Sequence, residues 1–436
     1  MANKTKAQRE PEGDPKKAEE VSAALSNTNQ SNKSAKVIAK KSAKKKTKKQ
    51  KAKPLTKKEL AEADLERMLT RPMAQCDVLE GSPQLTFPPA AMRLGFPVKV
   101  MGDGGLKTSD SRRWQQDPHL RVSLGYLCSV IGYLRKHGIH MYRMSSDIAP
   151  YATHPDMPQF HNMVKESASD LARFGRLARE ADVRLSFHPS QFIVLNSENE
   201  KLTLKSMWDL DSQAEMLDLM ECGPEAVMVV HVGGAYGDRE SGWRRWAETW
   251  KRLGEPVRRR LVLENDDIRY SAADVMKVHE ATGVKCVFDY QHHWCFNPEG
   301  LPLVETTERF CKTWPTGVRP KMHFSCARTE MRELKRRNRK TGKQEMVLQP
   351  PIWTGHADYN NPFETITFLR SIQHIDTDVM LESKSKDLSL IRLRNDMARF
   401  APELAARYGV NAQQASEDVG EVVETADEEG EEVAAD

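Results

Sequence analysis

Six short apolar runs in the middle of the chain share one feature, a His, Asp or Glu at or near the carboxyl end of the run. We refer to these residues as the strand-end set: His188, His231, Glu264, Asp289, His323 and Glu382. A mixture of imidazole and carboxylate ligands suits zinc, manganese or iron better than calcium. A lone histidine is more often a hydrogen-bonded core or surface residue than a ligand, so the prediction of a metal site depends on the recurrence along the chain.

Histidines in the segments between the runs extend the candidate ligands to His154, His292, His293 and His356. Adjacent residues point in different directions, so at most one of His292 and His293 is expected to reach a common site. If the strand-end set were buried together without partners, its charge would be very unfavourable. Divalent cations are the simplest way to balance that charge.

The apolar runs belong to a repeating pattern in which a strand-length segment is followed by polar or Gly residues and then by a helical stretch. The predicted strands are Met92–Phe96, Met141–Met144, Arg184–Phe187, Val227–Val230, Leu261–Leu263, Cys286–Phe288, Lys321–Phe324 and Val379–Leu381. The predicted helices are Leu120–Lys136, Val164–Ala181, Leu204–Glu221, Trp243–Leu253, Ala272–Ala281, Val304–Cys311, Phe363–Ile372 and Asp387–Phe400.

This alternation predicts an α/β fold with a parallel sheet, for which closure into a (β/α)8 TIM-type barrel is the simplest arrangement. An open doubly wound sheet is the alternative. The first predicted strand is not followed by Gly-x-Gly-x-x-Gly, which disfavours dinucleotide binding. In a barrel the carboxyl ends of the strands lie on one face, where active sites are found, so the strand-end set would converge there.

Charge is distributed unevenly along the 436 residues, although the formal net charge is only +4. Residues 1–60 hold 18 Lys and Arg against 6 Asp and Glu, whereas residues 411–436 hold 10 acidic residues and no basic one. We therefore predict a disordered Lys-rich tail over 1–55, a short helix and Pro-rich linker over 56–90, the barrel domain over 91–402 and a disordered acidic tail over 403–436. The basic tail is expected to attract nucleic acid phosphates, with a solubility tail or a localisation signal as the alternatives.

Several classes of protein are excluded by composition. No apolar run approaches 18 residues, which disfavours a membrane-spanning helix, and the N-terminus lacks the apolar segment of a secretory signal. The seven cysteines are scattered without a Cys-x-x-Cys pair, which favours reduced thiols over a disulfide framework or a zinc ribbon. We therefore expect an intracellular protein, in the cytoplasm or nucleoid of a bacterial host or in the nucleus of a eukaryotic one.

Segments at the predicted strand ends resemble the UV damage endonuclease family, in the order in which that family has them. They are Arg93-Leu94-Gly95-Phe96-Pro97, Tyr142-Arg143-Met144-Ser145-Ser146-Asp147, His188-Pro189-Ser190-Gln191-Phe192, His231-Val232-Gly233-Gly234-Ala235-Tyr236-Gly237, Leu263-Glu264-Asn265-Asp266-Asp267, Asp289-Tyr290-Gln291-His292-His293, Pro320-Lys321-Met322-His323 and Met380-Leu381-Glu382-Ser383-Lys384-Ser385-Lys386. The resemblance extends from about Met92 to Phe400. It implies a TIM-type barrel with a cluster of up to three divalent metals, with manganese expected and magnesium or zinc as alternatives.

The resemblance also implies roles for individual residues. Glu264 would bridge two metals, of which one is also held by Asp289, His323 and Glu382 and the other by His188 and His231. A third metal would lie near His292 and His356. Lys321 matches a lysine that the family can carry as a carbamate, with a structural lysine as the alternative, and His154 matches an active-site histidine.

The activity implied is incision of DNA on the 5′ side of a lesion, leaving a 3′-hydroxyl and a 5′-phosphate. The implied substrates are cyclobutane pyrimidine dimers, 6-4 photoproducts and, more weakly, abasic sites. A lesion pairs and stacks poorly, so it is extruded at lower free energy than a normal base. The family uses a Gln-Tyr pair as a wedge, and here Gln191 and Phe192 stand in its place, with packing in the core as the alternative for Phe192. Phe96 replaces a Tyr that in the family contributes to lesion recognition.

A basic segment, Arg328–Lys343, holds eight Lys and Arg and only two Glu between the seventh predicted strand and the following helix. We predict that it extends from the catalytic face and contacts DNA phosphates, with a solvated loop as the alternative. The residues expected to make these contacts are Arg328, Arg332, Lys335, Arg336 and Arg337.

The leading prediction is thus a metal-dependent DNA repair endonuclease, a monomer that acts on damaged double-stranded DNA and not at a membrane. One alternative is a metal-dependent sugar isomerase of the same barrel type, which the basic tail and the basic segment disfavour. The other is a DNA-binding protein without catalysis, which the complete set of candidate ligands disfavours.

Overall fold

The computed structural model describes residues 92–410. The predicted basic tail, the short helix with its Pro-rich linker, and the acidic tail from residue 411 onwards lie outside the described residues. A helix, Pro402–Arg407, begins at residue 402, where we placed the end of the barrel domain. Because Leu404 and Ala405 in this helix are buried, the packed part of the chain extends beyond that boundary.

Eight parallel strands of the described residues form a closed barrel, and two further strands form an antiparallel hairpin. In chain order the strands are β1 Leu94–Pro97, β2 Met141–Arg143, β3 Arg184–Ser186, β4 Met228–His231, β5 Leu261–Glu264, β6 Lys285–Val287, β7 Lys321–Phe324, β8 Arg332–Arg337, β9 Gln344–Gln349 and β10 Asp378–Leu381. The hydrogen-bonded order is β3-β2-β1-β10-β7 in one sheet and β4-β5-β6 in the other. Single bridges from Phe187 to Met228 and from Asp289 to His323 join the two sheets, so the predicted TIM-type barrel is confirmed.

Helices follow the barrel strands as predicted, with boundaries that differ by a few residues. They are α1 Leu120–Lys136, α2 Met163–Glu166, α3 Ala168–Glu180, α4 Glu200–Leu219, α5 Arg239–Arg252, α6 Glu255–Arg260, α7 Ala272–Thr282, α8 Tyr290–Cys295, α9 Leu303–Cys311, α10 Pro362–Ser371, α11 Lys386–Phe400 and α12 Pro402–Arg407. The predicted helix Val164–Ala181 is divided at Ser167 into α2 and α3. None of the described helices is both long and apolar enough to cross a membrane.

The two-residue period of the strands separates a helix-facing side from a barrel interior. Leu261 and Leu263 of β5 belong to the main core, where they pack with helix residues. Val262, between them, belongs to a second, smaller apolar group together with Val229 and Trp314. Residues two positions apart on a strand share a face, so the last residue of β5, Glu264, points to the same side as Val262.

The opposite end of the barrel is closed by a buried ion pair. Arg184, which begins β3, donates from Nη1 to Asp378 Oδ2 of β10 over 2.8 Å, and both side chains are about 1% exposed. Asp378 also accepts a hydrogen bond from the backbone N–H of Arg93 at 2.9 Å. A buried charge is tolerated when it is paired and hydrogen-bonded in this way, so Asp378 connects three strand starts.

The basic segment forms a hairpin, for which no strands were predicted. Strands β8 and β9 pair in antiparallel register from Arg332 opposite Gln349 to Arg337 opposite Gln344. The hairpin grows out of β7, because Arg328 N–H donates to Gly355 O at 2.8 Å and a bridge joins Ala327 to His356. Its position between the seventh barrel strand and the next helix is as predicted.

Removing the carboxylate of Asp378 is expected to destabilise the barrel, because it leaves Arg184 buried without its counter-charge. The substitution Asp378→Ala should lower the free energy of unfolding by about 3–5 kcal/mol, measured by urea denaturation. The matched control is Asp376→Ala, which removes an ion pair to Arg407 from a side chain that is 80% exposed. It should change the free energy by less than about 1 kcal/mol. Equal effects of the two substitutions would contradict this role of the buried pair.

Candidate metal centre

The strand-end set is brought together at the carboxyl end of the barrel, as predicted. His231 and Glu264 are the last residues of β4 and β5, where they are register partners. Asp289 and His323 are joined by the bridge that connects β6 to β7. The structure buries Glu264, Asp289 and His323 almost completely, with 1%, 0% and 0% of each residue exposed. Side chains two positions apart on a strand point to the same side, so Glu264 and His231 point into the barrel interior like Val262 and Val229.

Glu264 lies at the centre of the site, with histidine nitrogens near both of its oxygens. Oε2 lies 3.1 Å from His188 Nε2 and 3.5 Å from His231 Nε2. Oε1 lies 2.8 Å from His323 Nδ1 and 3.6 Å from His292 Nδ1. A carboxylate whose two oxygens face different groups of ligands has the geometry needed to bridge two cations.

Glu382 forms a second carboxylate centre beside Glu264. Its Oε1 lies 3.3 Å from His323 Nδ1 and is also bound by the guanidinium of Arg143. Its Oε2 lies 3.6 Å from His356 Nε2. The rings of His292 and His356 are 5.9 Å apart, so both predicted ligands of a third metal lie at this end of the site.

The available donor atoms fit divalent cations. Ligand atoms of His188, His231 and Glu264 lie within 4.8 Å of one another, and the same is true of Glu264, Asp289 and His323. Among the described residues, the buried carboxylate oxygen Asp289 Oδ2 has no hydrogen-bond partner. Buried polar atoms are normally satisfied, so an unpartnered carboxylate oxygen in this group of donor atoms favours coordination of a cation.

Burial and mutual attraction set the protonation of the centre. Burial opposes ionisation of Glu264, but His323 and His231 beside it hold its pKa well below the usual range. Burial lowers the pKa of His323 and of His356 to about 4, so both imidazoles are neutral and can coordinate a metal at neutral pH.

Two other groups retain protons near neutral pH. Burial raises the pKa of Asp289 to about 7, against the attraction of His292. Burial disfavours the charged form of His292, but Asp289 and Glu264 outweigh it and raise the pKa of His292 to about 9. A cation that binds these two residues must therefore displace protons.

Lys321 lies in β7, two residues before His323 and on the same side of the strand. Its Nζ donates to Ser186 Oγ at 3.3 Å, and only 1% of the residue is exposed. Burial holds the pKa of Lys321 well below its usual range, although Glu264 and Glu382 act in the opposite direction. Lys321 is therefore placed beneath the candidate metal ligands, inside the barrel.

The remaining predicted histidines take different positions. His154 makes local contacts, with Asp156 N–H donating to its Nδ1 at 3.3 Å and the ring of Tyr151 at 6.2 Å. Within residues 92–410, His154 has no hydrogen bond, ion pair or ring contact with the strand-end set. His293 contacts Leu301 O at 3.1 Å, away from the ligands, so one residue of the His292–His293 pair reaches the site, as expected.

The predicted lesion-contacting aromatics differ sharply in exposure. Phe96 has no exposed surface and packs edge-on against Tyr142 at 5.5 Å, on the helix-facing side of β1. A side chain without exposed surface cannot stack on a DNA base, so Phe96 is removed from the predicted DNA-contacting set. Phe192 is 74% exposed, which excludes the alternative that it packs in the core, and the adjacent Gln191 is exposed as well.

Two residues of the site were missed by the sequence reasoning. Arg143 is the last residue of β2 and binds Glu382. The available signal was a basic residue at the end of a predicted strand, where only acidic residues and histidines were considered. Asn265 connects neighbouring ligands, because it accepts from Asp289 N–H at 2.9 Å and its backbone carbonyl lies 2.9 Å from His292 Nδ1. Its position immediately after Glu264 was the available signal.

Comparisons with known proteins agree with this geometry. The sequence profile of the UV-endonuclease UvdE family matches residues 121–409. A UV DNA damage endonuclease of Bacillus velezensis is 33% identical over 297 residues, which cover 67% of this chain and 86% of that protein. One from Bacillus pumilus is 32% identical over 265 residues, covering 60% of this chain and 76% of the relative. The crystal structure of SacUVDE is similar with a TM-score of 0.57 and 25% identity, over 76% of this chain and all of that one.

The affinity of the site for Mn²⁺ is expected to fall as the pH is lowered from about 9 to about 6, since protons on His292 and Asp289 then compete with the cation. The pKa values of about 9 and about 7 set this window. Titration of the full chain with Mn²⁺ at a series of pH values measures the effect. The control His374→Ala changes a surface histidine bound to Glu308 and should leave the profile unchanged. An affinity independent of pH would contradict the assignment of these two residues as ligands.

Proposed function

Since the chain belongs to the UV-endonuclease UvdE family and is therefore a DNA repair endonuclease, we propose that it incises the backbone on the 5′ side of UV photoproducts. The products are a 3′-hydroxyl and a 5′-phosphate. The substrates are cyclobutane pyrimidine dimers and 6-4 photoproducts, and abasic sites are cut more weakly. The observation that carries this proposal is the position of Glu264, whose two oxygens face two different groups of ligands.

The cofactor we propose is a cluster of up to three manganese ions, with magnesium or zinc as substitutes. Glu264 would be shared by two ions, one with His188 and His231 and the other with Asp289, His323 and Glu382. His292 and His356 would hold a third. When bound, such cations lower the pKa of a coordinated water and neutralise negative charge on a phosphodiester.

The protein's own side chains have supporting roles at this centre. Arg143 already binds Glu382, and its remaining N–H groups would donate to a phosphate oxygen of the substrate. Burial holds the pKa of Lys321 well below its usual range, which favours the neutral amine, the form that reacts with carbon dioxide to give a carbamate. We propose that His154 contacts the scissile phosphate from its own segment when DNA is bound.

Recognition of DNA is divided between two surfaces in this proposal. Gln191 and Phe192 enter the duplex at the lesion, where the high exposure of Phe192 leaves its ring free to stack on a base. The hairpin contacts phosphates through Lys335, Arg336 and Arg337, which are exposed. Phosphate contacts position the protein on any duplex, whereas the wedge distinguishes a lesion from normal DNA.

The site of action follows from the substrate. A monomer bound to damaged double-stranded DNA would work at the nucleoid of a bacterium or in the nucleus of a eukaryote. Membership of an endonuclease family argues against the sugar isomerase, which was one alternative from the sequence. The other alternative, DNA binding without catalysis, is tested by the next experiment.

Glu264→Gln is expected to abolish incision, since the amide cannot bridge two cations. DNA affinity should stay within about twofold of the wild type, because Glu264 is buried and the substitution leaves the protein surface unchanged. Nicking of UV-irradiated plasmid measures incision, and fluorescence anisotropy with a damaged duplex measures affinity. Glu248→Gln is the matched control, because Glu248 is a surface residue paired with Lys251. Undiminished incision by Glu264→Gln would refute the assigned role.

Replacing Lys335, Arg336 and Arg337 together with alanine should weaken binding of damaged and undamaged duplex by the same factor. The slope of log K against log salt concentration should decrease in magnitude by about 2.7, since each phosphate contact contributes about 0.9. Anisotropy titrations at several salt concentrations measure both quantities.

Phe192→Ala supplies the contrasting variant for that experiment. It should lower the preference for damaged DNA by about 1–3 kcal/mol, the free energy of one aromatic stacking contact, and leave the salt slope unchanged. A hairpin variant that loses lesion preference, or a Phe192→Ala protein that loses affinity for all duplexes alike, would contradict the proposed division.

A further inference from the structure

A chain of hydrogen bonds runs from the base of the hairpin to His356. The amide nitrogen of Gln291 donates to Trp353 O at 3.0 Å and to Gly355 O at 3.2 Å, both in the segment that follows β9. Its amide oxygen accepts from Ser325 Oγ at 3.0 Å. Ser325 Oγ in turn lies 2.5 Å from His356 Nδ1. Gln291 and Ser325 are 2% and 0% exposed, so water does not replace these partners.

The direction of every hydrogen bond in this chain is determined. Two backbone carbonyls can only accept, so they fix the Gln291 amide with its nitrogen toward them and its oxygen toward Ser325. The Gln291 oxygen can also only accept, so the Ser325 hydroxyl donates its proton to that oxygen. The hydroxyl oxygen is then left to accept from His356, which requires the proton of His356 to be on Nδ1.

The consequence appears at the other side of the His356 ring. With the proton on Nδ1, Nε2 carries a lone pair, and it faces Glu382 Oε2 at 3.6 Å. Two acceptors at that separation repel each other unless a cation lies between them. The hydrogen-bond chain therefore prepares Nε2 of His356 as a metal ligand.

Other ligands are oriented in a different way. His188 Nδ1 lies 3.1 Å from Pro189 O, and His292 Nδ1 lies 2.9 Å from Asn265 O. Backbone carbonyls orient these two rings, and no side-chain substitution removes them. The tautomer of His356, by contrast, depends on two replaceable side chains.

We propose that Gln291 and Ser325 are positioning residues that hold His356 in its ligating tautomer and thereby set the affinity of the third metal. This inference rests on the proposed metal centre, and it adds a function for two buried polar residues that are not themselves proposed ligands. It also assigns the base of the hairpin a part in the metal site, because Trp353 O and Gly355 O begin the chain.

Ser325→Ala and Gln291→Met test the proposal in the full chain. The alanine removes the acceptor for Nδ1–H, whereas the methionine frees the Ser325 proton to be donated to Nδ1, which moves the proton of His356 to Nε2. Each variant should bind one of the Mn²⁺ ions about 10–100-fold less tightly and leave the other affinities unchanged. Equilibrium Mn²⁺ titration followed by electron paramagnetic resonance of the free ion measures each affinity without DNA.

Two controls separate positioning from a general loss of structure. Ser383→Ala removes a buried hydroxyl beside Glu382 that has no hydrogen-bond partner within residues 92–410, and it should bind Mn²⁺ like the wild type. The double variant should lose no more affinity than the single variants, since both act through His356.

Uniform weakening of all ions together with a lower melting temperature, additive losses in the double variant, or wild-type affinity in Ser325→Ala would each overturn the inference. If the wild-type chain binds no Mn²⁺, the metal centre itself is refuted, and the positioning role falls with it. That result is distinct from a wild type that binds Mn²⁺ and a Ser325→Ala protein that binds it equally well.

Discussion

The structure depends on keeping an ionised carboxylate, Glu264, almost fully buried at the carboxyl end of the barrel. Transfer of such a group out of water is unfavourable by several kcal/mol unless partners compensate it. Here four histidine nitrogens lie within 3.6 Å of its two oxygens. Each histidine comes from a different strand end or adjoining helix, so the closed barrel is what allows one carboxylate to meet all of them.

The barrel interior divides into layers because inward-facing residues recur every second position. Arg184 and Asp378 form a charged layer at the amino end, and Val229 and Val262 belong to an apolar layer above it. The candidate metal ligands form the uppermost layer. The apolar layer separates the two charged layers. The Arg184–Asp378 ion pair at the amino end can therefore stabilise the fold without contacting the candidate ligands at the carboxyl end. Lys321 departs from this separation, because it places an amine just below the ligands.

The sequence allowed the fold and most residues of the candidate site to be predicted, since six of the barrel strands carry a His, Asp or Glu at or near the end of the apolar run. Side-chain direction was harder. Phe96 lies in a strand, as Glu264 does, but Leu94 and Phe96 are on the helix-facing side of β1. Which alternate residues of β1 face the helices is determined by the register of the strand with its neighbours. The strands of the hairpin were not predicted, because Arg332–Arg337 is dominated by charge and shows no apolar alternation, which is the signal used to predict strands.

The ligands also differ in how firmly the fold holds them. Most of the strand-end set belongs to the barrel strands or follows them directly, so the positions of those ligands are determined by the backbone hydrogen bonds that close the barrel. His356 instead follows the hairpin, and it is attached to the barrel by the bridge to Ala327 and by the contacts of Ser325 and Gln291. Local stability is lower where fewer backbone hydrogen bonds fix an element. The same hairpin presents the basic side chains assigned to DNA. Displacement of the hairpin by a bound duplex would therefore reach His356 before Glu264, so the proposed third metal position would be the part of the centre that responds most to DNA.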